Sequence, residues 1–177
     1  MTMLTLLERA RKTRLLIMDV DGVLTDGRII QDGHGHELKV FDVKDGHGIV
    51  MAHRAMLRTA LISGRESETI TRRAEELGIE LVFQKIWNKL EVYEKILVDT
   101  EVTHDEVAYI GDDLIDIPLL RRVGLAVAVA DAVDEVKAAA HLITQRPGGQ
   151  GAVREVIELI LRAQDHWDSL IERYTKA

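Results

Sequence analysis

Six short apolar, β-branched runs alternate with segments of helical period along this chain, and few folds accommodate that rhythm. The runs RLLIMDV, TALISG, LVF, VAYIG, LAVAV and HLIT are separated by SETITRRAEELG, KLEVYEKILVD, LIDIPLLRRVG and VDEVKAAA. Strands without polar alternation are buried on both faces, and strands joined through helices run parallel. The expected fold class is α/β, a doubly wound parallel sheet with helices on both faces. Ligands of such sheets bind at the carboxyl ends of the strands, so polar strand ends should converge on one site. A chain of 177 residues, 46% hydrophobic and 30% charged, suits one core, and 1–177 is read as a single domain.

One segment interrupts the rhythm. Between Gly27 and Asp42, two β-like runs, Arg28 to Gln31 and Glu37 to Phe41, flank Asp32-Gly33 and Gly35, which predicts a hairpin over about 28–41. An isolated hairpin is marginally stable in water, so this one should pack against something, another subunit included. The tail from Gly151 to Tyr174 reads as helix, with Val153, Val156, Ile157, Ile160 and Leu161 as its apolar stripe.

Several function classes are disfavoured. No apolar run approaches the roughly 20 residues that span a bilayer, and MTMLTLLERARKTR carries charges where a secretory signal needs an apolar stretch. A cytoplasmic protein without membrane contact is expected. With no Cys, any metal must be held by oxygen or imidazole. A net charge of −7 argues against nucleic acid as a partner.

The strand ends carry the chemistry. Asp19 and Asp21 end the first strand in LLIMDVDGVLTDG. A lone Asp there would be a cap or Asx turn, but two such carboxylates can address one face, and ionising both calls for a cation. Ser63 in LISGR and Lys89 in WNKL would each pass alone for a turn serine and a surface lysine. YIGDDLIDIP then supplies Asp112, Asp113 and Asp116, three acids within five residues, better explained as a second contribution to a Mg²⁺ site than as caps.

Taken in order, Asp-x-Asp, Ser, Lys and Gly-Asp-Asp-x-x-Asp resemble the four motifs of the haloacid dehalogenase superfamily, over about Leu15 to Leu142. The resemblance implies a Mg²⁺-dependent phosphatase working through an aspartyl-phosphate. Asp19 would be the nucleophile and Asp21 the general acid and base, with Ser63 and Lys89 on the phosphoryl group. Mg²⁺ would be held by Asp19, Asp21 through its backbone carbonyl, and Asp112. Asp113 and Asp116 would orient those ligands and Lys89. No cap domain fits between the motifs, so the chain resembles a capless member.

Finer strings, FDVKDGHGI, GLAVAVADA and GGQGAVREVIELIL among them, resemble a capless family that removes the 8-phosphate of an eight-carbon keto sugar acid, 3-deoxy-D-manno-octulosonate, in lipopolysaccharide precursor synthesis. Phosphatases of nine-carbon sugar acids, and the phosphatase-like domain of acylneuraminate cytidylyltransferases, are the neighbouring alternatives. The resemblance implies a homotetramer acting on a small sugar acid phosphate. Its substrate would touch the loop Asp42, Val43, Lys44, Asp45 and Gly46, with Arg65, Arg73 and Lys89; Arg73 reads equally well as a solvated helix residue. Val50 stands where that family commonly has an arginine. Arg146 is the candidate for reaching a neighbouring subunit. His34 and His36 read as solvated turn residues rather than metal ligands, and His47 as a residue near the substrate.

Other readings fit less well. Receiver domains place their phosphoacceptor Asp and Lys in a different order, a phosphomutase needs a cap, and an inactive relative would not fill every chemical position.

Overall fold

The structure, a computed structural model, describes residues 3–34 and 37–176. The chain begins with helix α1 (Met3–Lys12), strand β1 (Leu15–Met18) and the hairpin strands β2 (Ile30–Gln31) and β3 (Glu37–Leu38). It continues as α2 (Val43–Arg54), β4 (Arg58–Ile62), α3 (Glu68–Leu77), β5 (Leu81–Phe83), α4 (Lys89–Thr100) and β6 (Val107–Gly111). It ends with α5 (Ile117–Leu120), β7 (Leu125–Ala128), α6 (Asp134–Ala139), β8 (Leu142–Ile143), α7 (Ala152–Ala163) and α8 (Trp167–Thr175).

All six expected core strands form one parallel sheet in the order β5-β4-β1-β6-β7-β8. β1, β6 and β7 are buried at every residue, which is why they read as unbroken apolar runs. From β1 the chain moves outward through α2 to β4, whereas from β6 it moves the other way through α5 to β7. Right-handed crossovers therefore put α2 and α3 on one face and α4, α5 and α6 on the other. The order reverses at β1 and β6, so the crevice between their carboxyl ends is the switch point where such sheets bind ligands.

Three expectations need correction, and one segment carried no structural expectation. The hairpin forms, but its ladder pairs only Ile30 with Leu38 and Gln31 with Glu37, and Gly35 and His36 lie outside the described residues. The segment Asp42 to Gly46 is not a loop: Asp42 caps α2, accepting from the Lys44 amide at 2.6 Å, and the next four residues form the first helical turn. The tail is two helices, because Asp165 takes a left-handed φ of 60° and Gln164 turns aside to donate to the Thr13 carbonyl at 2.6 Å. The opening segment, read only for the lack of a signal sequence, forms α1 and buries Leu6 and Ala10 in the core.

Candidate active site

β1 delivers Asp19 to the switch point. Its backbone amide continues the ladder to the Ile110 carbonyl at 3.1 Å, so the sheet itself fixes where the carboxylate stands. Lys89, the first residue of α4, and Asp116, in the short 3-10 turn after β6, enter from either side. Lys89 Nζ lies 3.0 Å from Asp19 Oδ1 and 2.7 Å from Asp116 Oδ1, and all three side chains are at most 9% exposed. The Tyr109 hydroxyl donates to Asp116 Oδ1 at 2.6 Å, and Asp116 Oδ2 accepts from the amides of Asp112 and Asp113. Asp116 is thus a fully saturated acceptor that fixes the lysine.

Asp112 is left differently. Its Oδ1 is buried without a hydrogen-bond partner among the described residues, and carboxylate oxygens of Asp19, Asp112 and Asp116 lie within 4.8 Å of one another. Burial pushes the Asp19 carboxyl up to about 7, with the Asp116 charge adding and the Lys89 ammonium opposing. Burial, then the charges of Asp19 and Asp116, push Asp112 up to about 8. For Lys89 burial works the other way, but the two carboxylates outweigh it and hold its pKa above the ordinary value.

This is a pocket of hard oxygen donors short of positive charge, and its partnerless carboxylate oxygen is one that a hard cation would satisfy. Asp19 and Asp112 fit Mg²⁺ as ligands, whereas Asp116 is engaged by Lys89, Tyr109 and two amides. Gly22 closes the pocket at φ +89°, where any Cβ would overlap the Asp112 carboxylate.

Ser63 follows β4 and is 1% exposed; its Oγ accepts from the Arg65 amide at 3.1 Å, which leaves the hydroxyl proton available. Asp21 stands apart from the acidic cluster, with its Oδ1 bound by Lys39 of the hairpin and Arg65 Nε 4.0 Å from its Oδ2. Arg65 also pairs with Glu37. Arg73 lies against Gly46 and the Phe41 ring and pairs with Glu76 at 2.8 Å.

Two further expectations are corrected here. Asp113 is exposed and its carboxylate caps the 3-10 turn through the Leu114 amide; only its backbone amide reaches Asp116, because the turn points the side chain outward. His47 packs edge-on against Tyr174, 5.6 Å between ring centres, rather than beside the site, because α8 folds back over α2. The Arg146 side chain lies beside Gly151, at the start of α7. His34 is exposed on the hairpin turn, as expected. Val50 faces the core from α2.

Two site residues escaped the sequence reading. Tyr109 was signalled as the one polar side chain in the buried run VAYIG; Lys39 had no signal, since charges on a hairpin ordinarily face water.

Comparison with known proteins agrees with this geometry. A family profile for haloacid dehalogenase-like hydrolases matches residues 57–157. The 3-deoxy-D-manno-octulosonate 8-phosphate phosphatase of Yersinia pestis is 47% identical over 159 residues, covering 90% of this chain and 85% of that protein. The corresponding phosphatase of Moraxella catarrhalis, solved with magnesium, phosphate and the sugar acid, superposes with a TM-score of 0.96 at 38% identity, covering 98% of this chain and 99% of that one. The cobalt-bound Haemophilus influenzae phosphatase superposes at 0.86 with 40% identity, covering 89% and 92%. With its motifs converging at the switch point of a matching sheet, the chain belongs to the haloacid dehalogenase-like hydrolases.

Proposed function

We propose that this chain hydrolyses 3-deoxy-D-manno-octulosonate 8-phosphate to the free sugar acid and inorganic phosphate, a step of lipopolysaccharide precursor synthesis. The observation that carries the reading is the buried set of Asp19, Lys89 and the partnerless Asp112 oxygen, together with 47% identity to a phosphatase of that name. Such hydrolysis is among the slowest uncatalysed reactions, and several groups must act together.

In this reading an Asp19 carboxylate oxygen attacks phosphorus, and the bond from phosphorus to the sugar oxygen breaks as Asp21 gives that oxygen a proton. Asp21, now ionised, takes a proton from water whose oxygen attacks the aspartyl-phosphate, freeing Asp19 and phosphate. Ser63 donates to a phosphoryl oxygen and Lys89 balances the charge shared by phosphate and Asp19. Asp19, Asp112 and the Asp21 carbonyl would hold Mg²⁺, which would supply Lewis-acid neutralisation of the phosphoryl charge. The sugar acid is met by Asp42, Val43 and Lys44 at the start of α2 and by Arg65 and Arg73, whose guanidinium forks suit a carboxylate; Asp45 and Gly46, expected to share this contact, are buried inside the helix turn instead.

The test is a substrate panel with Mg²⁺ on the wild type and Asp19→Asn. The eight-carbon acid phosphate should exceed hexose phosphates and nine-carbon acid phosphates in kcat/KM, and the variant should lose about 10³-fold or more. Full activity of Asp19→Asn would sink the mechanism; a flat panel would reject the substrate.

The hairpin supports a homotetramer as the working form. Ile29, Leu38, Val40 and Val43 are each more than half exposed, an apolar strip a second copy can cover. Light scattering should return four chain masses; a single-chain mass would remove this part of the reading.

A further inference from the structure

On a solvent-edge strand, period two ordinarily turns charged residues to water and apolar residues inward. The segment from Glu37 to Val40 does the reverse. The side chains of Glu37 and Lys39 are 19% and 2% exposed, while Leu38 and Val40 face out. An ammonium group covered this completely is costly unless paired. Lys39 Nζ pairs with Glu37 Oε1 at 2.7 Å and with Asp21 Oδ1, and Glu37 Oε2 takes the Arg65 guanidinium.

The consequence is a division between the two oxygens of Asp21. Oδ1 is held by Lys39, whereas Oδ2 is buried with no hydrogen-bond partner among the described residues, its nearest cation being Arg65 Nε at 4.0 Å. A free carboxylate would otherwise swing between rotamers and offer either oxygen. We infer that Lys39 is a positioning residue for Asp21, clamping Oδ1 so that Oδ2 is the oxygen that exchanges the proton with the leaving group.

The inference rests on reading Asp21 as the general acid. In the step concerned, the proton on Oδ2 passes to the sugar oxygen as that oxygen takes the electron pair of the breaking bond to phosphorus, and Asp21 is left as a carboxylate still paired to Lys39. Lys39 does not compete for the substrate's own carboxylate, because both its partners and its burial already occupy it.

Leaving-group dependence tests this. A p-nitrophenolate departs with little protonation, whereas a sugar alkoxide requires it. Lys39→Met and the better hydrogen-bonding Lys39→Gln are assayed on p-nitrophenyl phosphate, on a hexose 6-phosphate, which lacks a carboxylate, and on the sugar acid phosphate. Well-placed general acids contribute about 10²–10⁴-fold. Misplacing one should lower kcat about 30-fold on both sugar phosphates and about threefold on the aryl ester, with KM nearly constant; Lys39→Arg should recover part of the loss.

Equal losses on all three substrates, a loss confined to the sugar acid phosphate, or no loss at all would each overturn the inference. Asp21→Asn separates it from the reading beneath: if that variant lacks the leaving-group split, the acid assignment has failed. If it has the split and the Lys39 variants do not, the clamp alone has failed. Lys39→Gln keeps the experiment readable should Lys39→Met unfold the hairpin.

Discussion

Asp19 and Asp21 are separated by one residue, yet different parts of the molecule hold them. Asp19 is 7% exposed, its backbone locked into the sheet and its carboxylate met by Lys89 from the start of α4. Asp21 is 26% exposed at the side chain, and its partner Lys39 comes from a two-stranded appendage outside the sheet. The difference matches the roles proposed for them, nucleophile and proton donor. In-line attack on phosphorus demands a fixed nucleophile, and a close-packed sheet yields little. The leaving group varies with the substrate, so proton delivery can depend on an element that differs without disturbing the core. In a capless enzyme the hairpin is the part best placed to change substrate without rebuilding the nucleophile.

The sheet-built half should break hardest. Asp116→Ala would leave Lys89, 1% exposed, with a single carboxylate, the Tyr109 hydroxyl without its acceptor, and the amides of Asp112 and Asp113 unpaired. Removing one partner from a buried charge pair costs about 3–5 kcal/mol, which for a chain of this size lowers Tm on the order of 10 °C. The same change three residues earlier is the control: Asp113→Ala removes only the cap of an exposed turn and should cost about 1 kcal/mol, with turnover nearly kept. Chemical denaturation reads both; similar losses at the two positions would refute the division between saturated acceptor and cap.

Legibility in the sequence followed the same divide. The sheet could be read because its strands are buried on both faces, so apolar runs report them directly, and Asp19, Ser63, Lys89 and Asp112 could be read because they stand at strand or helix ends. What escaped depends on contacts between distant segments. Lys39 meets a carboxylate 18 positions earlier, and its inward direction inverts the pattern an edge strand normally shows. The break before α8 carries neither Gly nor Pro; it is made by Gln164 reaching back to the end of α1. Asp113 and Asp116 look alike in GDDLIDIP, and only the turn that points one out and the other in separates them.

A third carboxylate sharpens the contrast, since it is buried by the fold yet lies outside the metal pocket. Asp45, in the first turn of α2, is 1% exposed and accepts from the Gly151 and Arg154 amides at 3.1 and 2.7 Å, at the N-terminus of α7. It secures the segment whose Gly149 amide donates to the Val23 carbonyl at 2.9 Å, and so braces the loop that carries Asp19 and Asp21. Burial, opposed by those two amides, pushes its carboxyl up to about 6 from 3.8. Between about pH 4 and 6 the folded state therefore binds more protons than the unfolded state, and stability contributed here falls as pH rises, levelling above 6. Two units correspond to ~3 kcal/mol. Asp45→Asn loses one acceptor at every pH but cannot titrate, while Asp19 and Asp112 titrate alike in both proteins and cancel. The unfolding free energy of wild type minus Asp45→Asn should therefore drop by about 2–3 kcal/mol from pH 4 to 6.5. A difference that stays flat would show that the α7 amides fully compensate the buried charge, and that this brace is as relaxed as the Asp19 pocket is strained.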